Sequence, residues 1–74
     1  MKVTVKLFAS FQAGRFNLEN REYPEQTLIE DVVREQNIPE GKIGIVLLNA
    51  VHAKLSQPLK DGDILAIFPL VGGG

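Results

Sequence analysis

The apolar residues of this chain change period twice. From Lys2 to Ser10 they alternate, with Val3, Val5 and Leu7 on one side and Thr4, Lys6 and Phe8 on the other. In the stretch "PEQTLIEDVVREQNIP" the spacing lengthens, so that Leu28, Val32 and Val33 line one face while Glu30, Asp31, Arg34 and Glu35 face water. After Pro39 the runs become short, apolar and β-branched again. Alternation marks a half-buried strand and the longer spacing an amphipathic helix. A chain of 74 residues has room for one domain, and at that size only ~60% of the unfolded surface is buried on folding. One helix laid over one face of a sheet is the arrangement that such a chain can complete.

Punctuation residues place the remaining boundaries. The first strand spans Lys2 to Ser10, Gln12 to Arg15 with Gly14 is a turn, and Phe16 to Tyr23 returns as a hairpin partner, loosely paired across the polar stretch Glu19 to Glu22. Thr27 followed three residues later by Glu30 forms a capping-box pattern. The helix therefore runs from about Leu28 to Gln36, and Asn37, Ile38 and Pro39 end it. Ile43 to Leu48 reads as a central strand. Asn49 and Ala50 then turn the chain into a short strand at Val51 to Ala53, although glycine would suit the second turn position better. Asp61, Gly62 and Asp63 make a turn before the last strand, Ile64 to Phe68. The order strand, strand, helix, strand, short strand, strand is that of an α+β fold, the β-grasp or ubiquitin-like arrangement, with a mixed sheet and one main helix on one face. The β-grasp domain is assigned to residues 1–71 and a flexible glycine tail to residues 72–74.

Composition removes several classes of function. With no cysteine, disulfide frameworks, thiolate metal sites and thiol nucleophiles are excluded, and a reducing cytoplasm is permitted. A net charge of −1 gives no basic footprint for nucleic acid. The opening "MKVTVKLFAS" has too short an apolar run for a signal peptide or a membrane span. We expect a cytoplasmic protein that folds alone, is monomeric when isolated, and engages neither nucleic acid nor membrane.

Catalytic candidates are scarce. His52 is the only histidine, and in a strand between Val51 and Ala53 it reads as structural or surface-exposed. Asp61 and Asp63 flank Gly62 as turn residues, without the further ligands at the spacing that a calcium loop requires. Glu30 and Asp31 sit in the first helical turn, where carboxylates favour the dipole. No metal site is expected. There remains the final stretch, "FPLVGGG". Three glycines lack Cβ atoms and can thread a narrow channel, bringing a terminal carbonyl into another protein's active site. The carboxylate of Gly74 then becomes a deliverable substrate. Activated by ATP as an acyl-adenylate, it can be attacked by sulfur, nitrogen or oxygen nucleophiles. A frayed end would look the same in isolation; attachment to the last strand of a β-grasp order favours the working tail.

The frames "LFASF", "LKDGD" and "FPLVGGG" resemble the ubiquitin-like sulfur carriers, namely the small subunit of molybdopterin synthase (MoaD-like) and the thiamine-pathway carrier (ThiS-like). The resemblance covers nearly the whole chain. The molybdopterin branch typically ends Phe-Pro-Pro-Val-x-Gly-Gly, so Gly72 fills the variable position, Gly73 and Gly74 match the final pair, and Leu70 replaces the second proline. A Val-Gly-Gly-Gly ending also occurs among thiamine-type carriers; the Phe-Pro step and "KLFA" favour the molybdopterin branch.

The resemblance implies a cycle in which an ATP-dependent activating enzyme adenylates Gly74. A sulfur donor protein converts the adenylate to a thiocarboxylate, and the sulfur passes to a pterin precursor in the large subunit of molybdopterin synthase, or to thiazole synthase in the thiamine branch. A tungsten-pterin pathway would use the same chemistry. The chain would be a co-substrate and not an enzyme, with no cofactor bound and ATP used only by its partner. Conjugation of the same tail to lysines, or a plain interaction module, are the alternatives.

A docking surface is also expected. Phe8 points opposite to Val3, Val5 and Leu7, and with Leu65 and Ile67 in the core Phe68 falls on the same open face, where His52 joins it. Pro69, Leu70 and Val71 extend this partner-binding segment towards the tail, Gly72 to Gly74. A contiguous apolar patch on a small monomer usually marks a partner site.

Overall fold

The computed structural model describes residues 1–70; the assignments of Val71, Gly72, Gly73 and Gly74 lie outside the described residues. Strands β1 (Lys2–Leu7), β2 (Leu18–Glu22), β3 (Ile43–Leu48), β4 (Val51–His52) and β5 (Ile64–Pro69) form one five-stranded sheet in the order β2-β1-β5-β3-β4. The one α-helix among the described residues, α1 (Ile29–Glu35), packs against one side. β1 and β5 run parallel at the centre, with Thr4 to Leu7 opposite Ile64 to Ile67, and the other pairings are antiparallel. This is the mixed-sheet β-grasp architecture expected from the element order.

The pleat sorts the strands as their alternation requires. Val3, Val5 and Leu7 from β1, Leu65 and Ile67 from β5, and Val46 and Leu48 from β3 point towards the helix and are buried. Ile29, Val32 and Val33 meet them from α1. The helix thus presents the i, i+3, i+4 set that begins at Ile29, not at Leu28, which is only half-buried.

The helix start also differs from its sequence signature. Thr27 does not cap. Its hydroxyl donates to the Pro24 carbonyl at 2.7 Å, and its own carbonyl accepts the Leu59 amide at 2.8 Å. That tie holds Thr27 and Leu28 extended, with Leu28 bridged to Pro58. The cap moves one residue on: the Asp31 carboxylate accepts the Leu28 amide at 2.8 Å, while the free amides of Ile29 and Glu30 donate to the carbonyls of Gln57 and Leu55. Glu30 instead pairs with Arg34 at 2.9 Å. The end of the helix is as read. Asn37 takes a φ of +57°, and the amide of buried Ile38 closes on the Val33 carbonyl at 3.1 Å. Arg15 staples this end to the first loop, donating to the carbonyls of Phe11, Gln36 and Asn37.

Near the start of the chain, β1 stops at Leu7 rather than at Ser10. Phe8 is still extended, but Ala9 turns left-handed at φ +51°, and Ala9–Gln12 forms a 3-10 turn that buries Phe11. β2 is the polar stretch itself: Leu18 to Glu22 pair in register with Lys6 to Lys2, and the charged side chains suit an edge strand that must not recruit another chain. Tyr23 ends it in the core, donating from its hydroxyl to Glu35 at 2.8 Å and accepting from Arg21 at 3.0 Å. Burial, reinforced by the bond to Glu35, pushes this phenol up to about 12.

Asn49 and Ala50 adopt φ values of +52° and +68°, the pair of left-handed residues that a tight hairpin needs. The turn is tied down: Asn49 donates to the buried Asp63 carboxylate at 2.9 Å and accepts the Ile64 amide at 2.9 Å. Asn tolerates this conformation, whereas Ala incurs a penalty of about 1–2 kcal/mol that glycine avoids, offset in part by glycine's greater freedom when unfolded. Ala50→Gly is therefore expected to stabilise the domain by roughly 0.5 kcal/mol. In urea titration this would appear as a raised midpoint with an unchanged slope, and a lowered midpoint would contradict the strain.

Candidate functional site

The sheet face turned away from α1 carries the side chains that the core excludes. β1 and its extension contribute Lys6 and Phe8, β5 contributes Ile64, Ala66 and Phe68, and β3 contributes Ile45 and Leu47. Because β1 pairs with β5 and β5 with β3, these residues lie side by side: Lys6 faces Ala66, Ala66 faces Leu47, and Phe68 faces Ile45. All of these but Ile45 line a shallow concavity of about 480 Å³, as do Asn49 and Ala50 of the hairpin turn.

Phe8 and Phe68 are half-buried rather than fully exposed, because they cover each other. Their rings stack nearly parallel, with centroids 4.0 Å apart and planes 12° apart. Around them the apolar surface is open, with Ile45 and Ile64 each 43% exposed. His52 lies on the same face of β4, exposed and directly opposite Leu47. Pro69 ends β5 opposite Ile43, and Leu70 projects into solvent at 60% exposure while its amide donates to the Lys42 carbonyl at 2.9 Å. The site thus gathers Phe8, Phe68, His52, Pro69 and Leu70 along β5 and its neighbours.

Sequence reasoning missed Ile45, Leu47, Ile64 and Ala66. The signal was present: β3 and β5 are apolar on both parities, which an internal strand covered on only one face does not require for its core alone.

Lys6 is the one titratable side chain lining the concavity, and it has no carboxylate partner within 4 Å among the described residues. Among the described residues no group of three His, Cys, Asp or Glu side chains is placed to hold a metal ion. Nor is any described helix long and apolar enough to cross a membrane. The acidic side chains near the concavity are engaged elsewhere. Asp63 accepts from Asn49 and from the Lys60 amide, and Asp61 accepts the Lys2 amide at 2.7 Å. The arrangement offers area, an aromatic pair and a cationic edge, which suit binding another macromolecule.

Comparison with known proteins agrees with this geometry. The fold is that of the ubiquitin-like β-grasp proteins. SAMP1 from Haloferax volcanii superposes with a TM-score of 0.74 at 26% identity, over 100% of both chains. A putative molybdopterin converting factor, subunit 1, from Pyrococcus furiosus gives a TM-score of 0.74 at 30% identity, over 96% of this chain and 99% of that one. A complex of subunits 1 and 2 of molybdopterin-converting factor from Helicobacter pylori matches in fold, with a TM-score of 0.66 at 23% identity over 100% of both chains. The ThiS family model matches residues 5–74, and the chain belongs to that family. Its resemblance to the MoaD-like and ThiS-like sulfur carriers is thereby upheld. A comparison with curated proteins returned no significant match.

The ring stack can be tested apart from any partner. Phe8→Ala and Phe68→Ala should each leave a cooperatively folding domain, because both rings lie outside the helix-side core. Combined in a double-mutant cycle, they should show a coupling of about 0.5–1.5 kcal/mol. No coupling would mean that the rings contribute separately, and loss of folding in either single variant would place that ring in the core.

Proposed function

We propose that this chain is a sulfur carrier whose Gly74 carboxylate is adenylated, converted to a thiocarboxylate and used to donate sulfur in molybdopterin or tungsten-pterin biosynthesis. The observation that carries the reading is the family match running through Gly74, joined to 30% identity over almost the whole length of a putative molybdopterin converting factor subunit. The chain serves as co-substrate in a reducing cytoplasm, and catalysis resides in its partners.

The chemistry follows from the weakness of a carboxylate as an electrophile. Attack of the Gly74 carboxylate on the α-phosphate of ATP in an activating enzyme releases pyrophosphate and leaves an acyl-adenylate. Hydrosulfide supplied by a sulfur donor adds at the carbonyl carbon, AMP departs, and the terminal oxygen has been exchanged for sulfur. The large synthase subunit then receives the loaded terminus, with the open face of the sheet docked against it. That Phe8, Phe68 and His52 share this face, and that the chain runs on from Phe68 through Pro69 and Leu70 towards the tail, supports the reading, since one strand would both bind the partner and lead into the tail. The thiamine pathway would use the same steps with thiazole synthase as acceptor.

One observation favours a second reading. SAMP1, 26% identical over its full length, bears a small archaeal modifier's name. A modifier shares adenylation but transfers the acyl group to a lysine amine.

Incubation with the cognate activating enzyme, ATP and a sulfide source, followed by intact-mass measurement, separates the outcomes. The expected result is a mass gain equal to the exchange of one oxygen for sulfur, absent when Gly74 is deleted. The deletion shortens the reach by up to ~3.5 Å, and even a ~1 Å misplacement can cost a hundredfold in a positioned reaction. Attachment to other proteins without a thiocarboxylate would move the chain to the modifier class. Absence of any modification would leave an interaction module.

A further inference from the structure

The strand that carries the terminal segment is seated against β3 at a point where β3 is irregular. Phe68 pairs with Ile45, but the next residue, Pro69, pairs with Ile43, so Gly44 is the extra residue of a bulge. Pro69 has no amide to give the ladder. The ladder resumes one residue later, where the Leu70 amide donates to the Lys42 carbonyl at 2.9 Å. The Pro69 carbonyl meanwhile lies so near the Gly44 backbone that a Cβ at that position would stand 2.7 Å from it, and 3.1 Å from both the Cα and the amide nitrogen of Leu70. The obstruction comes from main chain, which cannot swing aside as a side chain would.

The geometry points to Gly44 as a positioning residue for the terminal segment: its missing side chain lets Pro69 and Leu70 close onto β3, and that closure sets the direction in which the chain leaves the sheet. This rests on the carrier reading for its consequence. Leu70 is the last described residue, and the chain from it to the Gly74 carbonyl is four residues long, a reach of up to ~14 Å that starts from the position and direction set at Leu70. Gly44 does not have the left-handed φ that would make alanine intrinsically strained. Gly44→Ala should thus act through the collision alone, displacing Pro69 and Leu70 without disturbing the helix-side core, which Val46 and Leu48 supply from the same strand.

The experiment compares the wild-type chain with Gly44→Ala in three measurements: cooperative unfolding, amide hydrogen exchange, and steady-state thiocarboxylate formation by the activating enzyme. The expected result is retained cooperative unfolding, with Leu70 amide protection lowered ~10-fold or more while Val5 and Leu65 are unchanged. In the enzyme assay kcat should fall ~10-fold or more with a much smaller change in KM, since Phe8, Phe68 and His52 of the docking face stay in place and delivery of the carbonyl suffers. A merely structural role would lower the rate in proportion to the folded fraction, and that result, a full rate, or a change confined to KM would overturn the proposal. If the wild-type chain itself is not modified, the carrier reading fails. The exchange measurement then decides the clamp: selective loss at Leu70 supports it, and equal protection in both chains overturns it.

Discussion

The parallel pairing of β1 with β5 is the contact on which the rest of the molecule depends. It joins residues about sixty positions apart at the centre of the sheet, Thr4 to Leu7 against Ile64 to Ile67. Its helix side assembles Val5, Leu7, Leu65 and Ile67, none more than 1% exposed, and its open side brings Phe8 onto Phe68. The Asp61–Gly62–Asp63 turn aligns the pairing: the Lys2 amide donates to Asp61, the Gly62 amide to the Lys2 carbonyl, and the Thr4 amide to the Asp63 carbonyl. Gly62 sits at φ +87°, so the turn needs the residue it has. Closing so long a loop is entropically costly, and the buried apolar area of both strands offsets it.

From that pairing comes the division of labour between the two faces. The helix side is closed over an apolar core, with Arg21, Tyr23 and Glu35 bonded to one another beside it and Arg34 spanning Glu30 and Asp31 on the outer surface of the helix. The open side is apolar and bordered by Lys6 and His52. Because β5 is central and the chain leaves its end at Pro69 and Leu70, the open face and the route to the terminus belong to one strand. Under the proposed function, a partner that covers this face would also lie beside the strand end from which the chain leaves.

Much of this was legible in the residues, and the departures have local causes. The alternation of Val3, Val5 and Leu7 and the Asn37–Ile38–Pro39 stop each report a strong local preference that the fold does not oppose. Thr27 departs from its pattern because a capping signature records what a side chain can do, whereas the carbonyls of Leu55 and Gln57 took the helix amides first. β1 is shorter than its alternation suggests because that alternation continues through Phe8, while the left-handed turn at Ala9 carries no glycine to announce it. On the candidate site, Phe8, Phe68 and His52 could be placed on one face by parity alone. The same parity places Ile64 and Ala66 with Phe68, whereas Ile45 and Leu47 join them only once β3 is known to lie beside β5. The bulge at Gly44 depends on a register that no local pattern encodes.

The central claim is that the open sheet face and the terminal segment act together as the working surface. Backbone amide NMR of the labelled chain, titrated with the large subunit of molybdopterin synthase, tests it most directly. The account requires that shifts and broadening concentrate on Lys6, Phe8, Leu47, His52, Ala66 and Phe68 and continue through residues 70–74, with α1 unaffected. Changes centred on Glu30, Arg34 and Glu35, with Phe8 and Phe68 undisturbed, would contradict it.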